Sequence, residues 1–169
     1  LAASEIRFFR GSLKNVLSRF VVALKSFEDE TIVVRLTGDN VLPDGHLIDE
    51  VEKHFIESKL EYLICNGADS GLPYGLSLEM TRLKHLRSAS LESSAIFDIE
   101  HVTPAIRRKF GSHYFKKYLS KKMGNYRVTV DCLSDYLQIV DLFGSIKNPV
   151  EENSIYLIEK LRHKVQKPI

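Results

Sequence analysis

The chain has only two cysteines and almost no net charge, and each shortage removes a class of protein from consideration. Lysine and arginine number 24 against 22 aspartate and glutamate, a formal charge of +2, so the concentrated basic face of a nucleic-acid binder has no support. Cys65 and Cys132 lie far apart with no CxxC pair, which argues against a disulfide scaffold and for buried free thiols in a reduced, cytoplasmic setting. No apolar run approaches the roughly 20 residues of a membrane span, and no charged-then-apolar leader precedes a cleavage site. A soluble cytoplasmic protein with no membrane partner is expected. None of the six histidines falls in HExxH or a Cys/His zinc set. The absence of GxGxxG, of a Walker loop and of GxSxG sets aside Rossmann dehydrogenases, P-loop enzymes and serine hydrolases.

What remains is ordinary globular composition, 44% apolar and 27% charged over 169 residues, enough for one domain with a real core. There is no internal repeat and no low-complexity linker, so residues 1–169 are expected to form a single domain. The chain begins with Leu1 and runs almost at once into "IRFF", Ile6–Phe9, which reads as a short strand. After "RGS" an apolar stripe of helical period, Val16, Leu17, Phe20, Val21 and Leu24, predicts a helix. Residues Thr31–Leu36 predict a strand, "LPDGHLIDEVEKHF" a turn and a helix facing inward through Leu47, Ile48, Val51 and Phe55, and "LEYLICN" a second buried strand. Strand, helix, strand, helix, strand argues for an α/β protein whose sheet is mixed and mainly parallel, flanked by helices.

Further along, "GADSGLPYG" is a loop, and "LSLEMTRLKHLRSASLES" starts extended and turns helical with Leu83 and Leu86 inward. "AIFDIEHVTPAIRRKF" predicts a helix broken at Pro104, because proline lacks the amide donor and crowds the preceding turn. "HYFKKYLS" and "YRVTVD" predict strands, and "CLSDYLQIVDLFGSI" and "ENSIYLIEKLRHKV" predict amphipathic helices. The lysines at 116, 117, 121 and 122 read as a solvated face more readily than as a phosphate grip.

Two carboxylates share one address. Asp39 follows "IVVRLTG" and Asp131 follows "YRVTV", each just past the carboxyl end of a predicted strand, where open α/β sheets bind ligands. Gly38 ends the first strand by permitting backbone angles other residues avoid. Converging on one point, the pair suits a magnesium ion, which takes one or two carboxylates with waters and substrate phosphates. Simpler readings stand beside this one: Asp131 as the N-cap of the "CLSD" helix, and Asp39 as a turn residue.

Taken together, "FFRGSLKNVLSRFVVAL", "IVVRLTGDNVLPDGHLIDEVEKHF", "LPYGLSLEM", "EHVTP" and "YRVTVDCLSDYLQIVDLF" resemble, in order and spacing, the spore coat polysaccharide biosynthesis type of cytidylyltransferase. That family is similar to the synthetases that make CMP-KDO and CMP-acylneuraminate, and the resemblance runs from about Phe8 to Phe143. It implies a nucleotide-diphospho-sugar transferase fold and transfer of CMP from CTP to a sugar acid, with magnesium and release of pyrophosphate. It implies Asp39 and Asp131 as catalytic metal ligands, and substrate contacts from Arg10, Gly11, Ser12, Arg35, Thr37, Gly38, Glu79, Glu100, His101 and Arg127. Ser12 also reads as a helix cap, and Arg127 as a partner for Asp39 or for an anion. A homodimer is implied by the habit of similar synthetases.

The chain departs from the family pattern at Val41, with Pro43 displaced, in "DCLSDY" for "DTPEDL", and in "YGLS" for "DGLD", which removes two carboxylates near the sugar. The strand and Gly/Arg/Lys-rich loop that cradle the triphosphate in the family are not in these 169 residues. The expectation is therefore the carboxyl-terminal two thirds of a cytidylyltransferase-like domain, an enzyme as the parent protein and inactive as this chain alone. Two rivals are a truncated or degenerate domain that binds a sugar nucleotide or a partner without turnover, and a metal-dependent glycosyltransferase. The missing DxD motif argues against the second.

Overall fold

The computed structural model describes residues 6–42, 44–144, 146–148 and 151–165, with side chains as far as Lys160; Pro43 lies outside them. Helix α1 (Val16–Ala23) follows the predicted stripe, with Leu17 buried and Val16, Phe20, Val21 and Leu24 packed around it. Its cap is Asn15, whose Oδ1 accepts from Ser18 N at 2.8 Å. Ser12 caps nothing and instead accepts from Asn15 N at 3.0 Å. Strand β1 (Ile32–Arg35), helix α2 (Gly45–Glu57) and strand β2 (Tyr62–Cys65) come next. The short helix α3 (Gly67–Ser70), strand β3 (Leu78–Arg82) and helix α4 (Leu83–Glu92) follow. Helices α5 (Ile96–His101) and α6 (Pro104–Phe110) are parted at Pro104, as the proline requires, and α7 (Leu133–Gly144) and α8 (Ser154–Val165) complete the chain.

The sheet order is β1-β3-β2, with Met80 of β3 opposite Val34 on one side and Leu63 on the other. The class is the α/β sheet flanked by helices that the alternation predicts. The direction of the ladders is not: both are antiparallel. β1 and β2 do run the same way, carried there by the α2 crossover, but β3 lies between them. β3 returns from β2 through residues 66–77, whose only helix is four residues long, too short for the crossover a parallel neighbour needs. Among the described residues, parallel pairing survives only as isolated bridges, Ile64 to Tyr114 and Tyr74 to Arg127.

Because side chains alternate across a strand, the sheet feeds two cores. Leu63, Cys65, Leu78 and Met80 face α2, α7 and α8, meeting Leu47, Val51, Phe55, Leu142, Leu157 and Ile158. Val33, Tyr62 and Ile64 face α1, α4 and α6, meeting Leu17, Leu83, Leu86 and Ile106.

Three predicted strands are corrected. Ile6, Phe8 and Phe9 are exposed and irregular, joined to no sheet edge among the described residues. "HYFKKYLS" makes one bridge at Tyr114 and a 3-10 turn at Leu119–Lys121; Lys117 pairs with Glu50 at 2.7 Å and Lys121 with Glu159 at 3.1 Å. "YRVTVD" changes partner midway: Val128 N donates to Tyr74 O at 2.7 Å, whereas Val130 N donates to Asp39 O at 3.1 Å. No ladder can extend from two different neighbours. Of the two free thiols expected to be buried, only Cys65 is, and burial pushes it up to about 12; Cys132 is exposed.

Candidate active site

A cleft of about 500 Å³ opens where β1 and β2 end and β3 begins, the place where open α/β sheets take ligands. Its floor is Glu79. Oε2 accepts from Arg35 Nη1 at 2.6 Å, and Oε1 accepts from Tyr62 Oη at 2.5 Å and Thr103 Oγ1 at 2.7 Å. Burial, reinforced by the Glu79 carboxylate, raises the Tyr62 phenol well above its ordinary value, so it remains a donor. Two of the residues expected to touch substrate, Arg35 and Glu79, thus satisfy each other and line the cleft as one unit.

The rim beyond β1 is a turn closed by Asn40 N donating to Thr37 O at 3.2 Å and pinned by Asn40 Nδ2 on Ser77 O at 3.1 Å. Thr37 and Asp39 line the cleft. Gly38 does not act as expected: its φ lies outside the positive region, and a Cβ there meets nothing within 4 Å. The turn is set by its hydrogen bonds and not by glycine's freedom. Asp39 is half-buried, and its carboxylate forms no hydrogen bond or ion pair with the described residues.

The structure brings the Asp131 segment beside this turn, through the bond from Val130 N to Asp39 O and the Asn40–Thr129 bridge, but neither Asp131 nor Arg127 lines the cleft itself. The Asp131 carboxylate is partly engaged: Oδ2 accepts from Arg127 Nη2 and from Thr129 Oγ1, the latter at 2.9 Å. Arg127 therefore pairs with Asp131 and not with Asp39, and its guanidinium stacks over Tyr74 at 5.5 Å. Asp131 does not cap α7. Asp135 closes that helix start by accepting from Asp131 N at 3.0 Å and Cys132 N at 3.2 Å, bonds that hold its carboxyl below the ordinary range.

"EHVTP" has a role that its sequence conceals. Val102 is buried at φ 73°, ψ −54°, and Thr103 N donates back to His101 O at 2.8 Å, a tight turn rare for a β-branched residue. The turn aims Thr103 at Glu79 and leaves His101 lining the cleft, its ring against Phe97 at 4.4 Å. Glu100, expected as a substrate contact, is exposed and lines no part of the cleft, because neighbours on a helix point different ways and only His101 faces it. Arg10, Gly11 and Ser12 are exposed on the amino-terminal segment and do not line it either.

Several lining residues escape sequence reasoning. Asn66, whose Oδ1 accepts from Ser77 Oγ at 2.8 Å, directly follows β2, so the strand-end argument that finds Asp39 would have found it. Arg107 reads as surface on a helix and is exposed, but it also borders the cleft, its guanidinium donating to Ser112 Oγ at 2.7 Å and Tyr114 Oη at 3.0 Å.

Among the described residues no group of three or more His, Cys, Asp or Glu could hold a metal ion, and no helix is long and apolar enough to cross a membrane. The fold agrees with that of a known protein. A solved cytidylyltransferase from Leptospira borgpetersenii superposes with a TM-score of 0.84 over 99% of this chain and 72% of its own, at 22% identity, a likeness of fold. An uncharacterised protein of Methanocaldococcus jannaschii is 30% identical over 140 residues, 81% of this chain and 56% of that protein. The spore coat polysaccharide biosynthesis protein SpsF of Bacillus subtilis is 27% identical over 142 residues, 81% of this chain and 57% of that protein. The chain thus matches little more than half the length of these two relatives. Residues 2–164 match the cytidylyltransferase family from end to end of the described structure, and the chain belongs to that family.

Proposed function

We propose that the protein carrying this chain transfers CMP from CTP to a sugar acid, releasing pyrophosphate, in the synthesis of a surface polysaccharide. The observation that supports this most is Asp39: a half-buried carboxylate without a partner among the described residues, opening on the cleft and joined through the backbone to the Asp131 segment. A cleft-facing carboxylate with no partner among the described residues, on a turn that lies beside the Asp131 segment, fits a hard divalent cation that draws most of its ligands from water and phosphate. Asp39 and Asp131 would hold magnesium, which when bound neutralises phosphate charge and orients the leaving pyrophosphate. The chain's own contribution is position. Glu79 fixes Arg35 and the "EHVTP" turn around the cleft, so that an acceptor hydroxyl meets the α-phosphorus in line without reorganisation of the walls. The name of the Bacillus relative supports the polysaccharide setting.

A second reading, binding of a sugar nucleotide without turnover, is favoured by one observation: Arg127 already occupies Asp131. The full-length protein, assayed for pyrophosphate release with CTP, magnesium and a panel of sugar acids, separates the two. Turnover that stops with EDTA and falls roughly 100-fold or more in Asp39→Ala, with melting unchanged, is the expected result. Undiminished turnover in that variant removes Asp39 from the mechanism. Binding of a CMP-sugar with no pyrophosphate released from any acid favours the second reading.

A further inference from the structure

We infer that Arg107 is the specificity residue for the acceptor, binding its carboxylate at the end of the cleft away from Asp39; this rests on the sugar-acid reading above. Two arginines line the cleft, and they are not equivalent. Arg35 is neutralised by Glu79 at 2.6 Å. Arg107 forms no ion pair among the described residues, and it is oriented by two neutral hydroxyls, Ser112 Oγ on Nε and Tyr114 Oη on Nη2. A guanidinium held in place but left without a counter-ion, facing a cleft, is a ready partner for a planar carboxylate.

Its place in the fold separates it from the nucleotide end. Tyr114, to which Arg107 is tied, bridges to Ile64 on the outer side of β2, whereas Asp39 follows β1. From β1 through β3 and β2 to Tyr114 is three strand spacings, roughly 14 Å. The two ends therefore hold different parts of the bound substrates. The floor between them is closed, since both Glu79 oxygens are already engaged. Arg107 is thus the uncompensated cation available to an acidic acceptor.

The test uses the full-length protein, with KDO, N-acetylneuraminate and a hexuronic acid as acceptors and the methyl ester of each as its neutral counterpart. Arg107→Met is expected to raise KM for the preferred acid roughly 10- to 100-fold, the worth of a charge-assisted contact, while KM for CTP holds. The ester, already poor with the wild type, is expected to change little, and Arg107→Lys to recover part of the loss. Equal loss for acid and ester, a rise in KM for CTP instead, or no effect at all overturns the assignment. If the wild type turns over no acid, the function proposed above fails. The subsite is then judged by calorimetric titration of the same acids: binding lost in Arg107→Met upholds it, and no binding to the wild type overturns it. Melting curves confirm that both variants fold.

Discussion

Glu79 was expected to contact substrate, and its surroundings make it a structural floor, a difference that two substitutions resolve. Glu79→Ala leaves Tyr62 Oη and Thr103 Oγ1 without their acceptor, on residues 0% and 5% exposed. A buried hydroxyl stripped of its partner costs about 1–3 kcal/mol. Arg35, with its side chain 22% exposed, can rehydrate, so its lost ion pair adds under about 1 kcal/mol. The sum is about 2–7 kcal/mol, or roughly 4–28 °C in Tm for a chain of this size. Glu79→Gln keeps one oxygen for both hydroxyls but sets an amide donor against the Arg35 guanidinium, which must turn to water; with the Arg35 side chain 22% exposed, that should cost about 1 kcal/mol. Urea melts followed by circular dichroism measure both. A Glu79→Ala protein within about 0.5 kcal/mol of wild type, yet raised in KM, would refute the floor and restore Glu79 as a substrate contact.

Two further outcomes follow from the packing. Asp44 caps α2 through His46 N at 2.9 Å and Leu47 N at 3.2 Å, and its other oxygen accepts from Ser154 N and Oγ, at 3.1 and 2.6 Å, at the start of α8. Burial raises its pKa, but these bonds outweigh burial and hold it below the ordinary 3.8. A depressed carboxylate stabilises the fold above its unfolded pKa and ceases to as pH falls through the folded one. Stability between pH 5 and 3 should therefore fall less steeply in Asp44→Asn than in wild type, and Asp44→Ala should cost about 1–3 kcal/mol at pH 7 by urea melts; parallel pH profiles would count against the clamp. Gly71→Ala, at φ 72° with a Cβ 2.2 Å from Tyr118 O, should cost about 2 kcal/mol or more, whereas Gly38→Ala should lie within about 1. Equal costs by thermal melting would show that the Gly38 turn does need glycine.

Much of this fold is legible in the amino-acid sequence. The stripes of α1 and α2, the β-branched core of β1, the apolar run of β2 and the break at Pro104 are local signals, and local physics decides them. Sheet direction is not local. It depends on β3 returning without a crossover, which no residue type in "LSLEM" announces. The same limit hides the fate of "YRVTVD", a sequence of good strand formers whose two halves meet different partners. At the site, Asp39 follows β1 as its sequence position suggests and lines the cleft; Asp131 follows a segment that makes no strand, and the fold brings that segment beside the Asp39 turn without placing Asp131 in the cleft. Arg107 and the Val102 turn are invisible in the sequence because an arginine on a short helix looks like surface, and nothing in a valine signals a positive φ.

The central place of β3 governs how the site comes into being. β1 and β2 touch only through it, 44 residues after Arg35 and 17 after Tyr62 in the contacts that Glu79 makes. No pair of neighbouring elements can assemble the cleft early, and none can lose it alone. Fraying of β3 removes the floor, frees the "EHVTP" turn and parts the two strand ends together. The site is therefore all-or-none with the sheet, and a molecule held there tightens the whole domain by mass action instead of ordering a single loop.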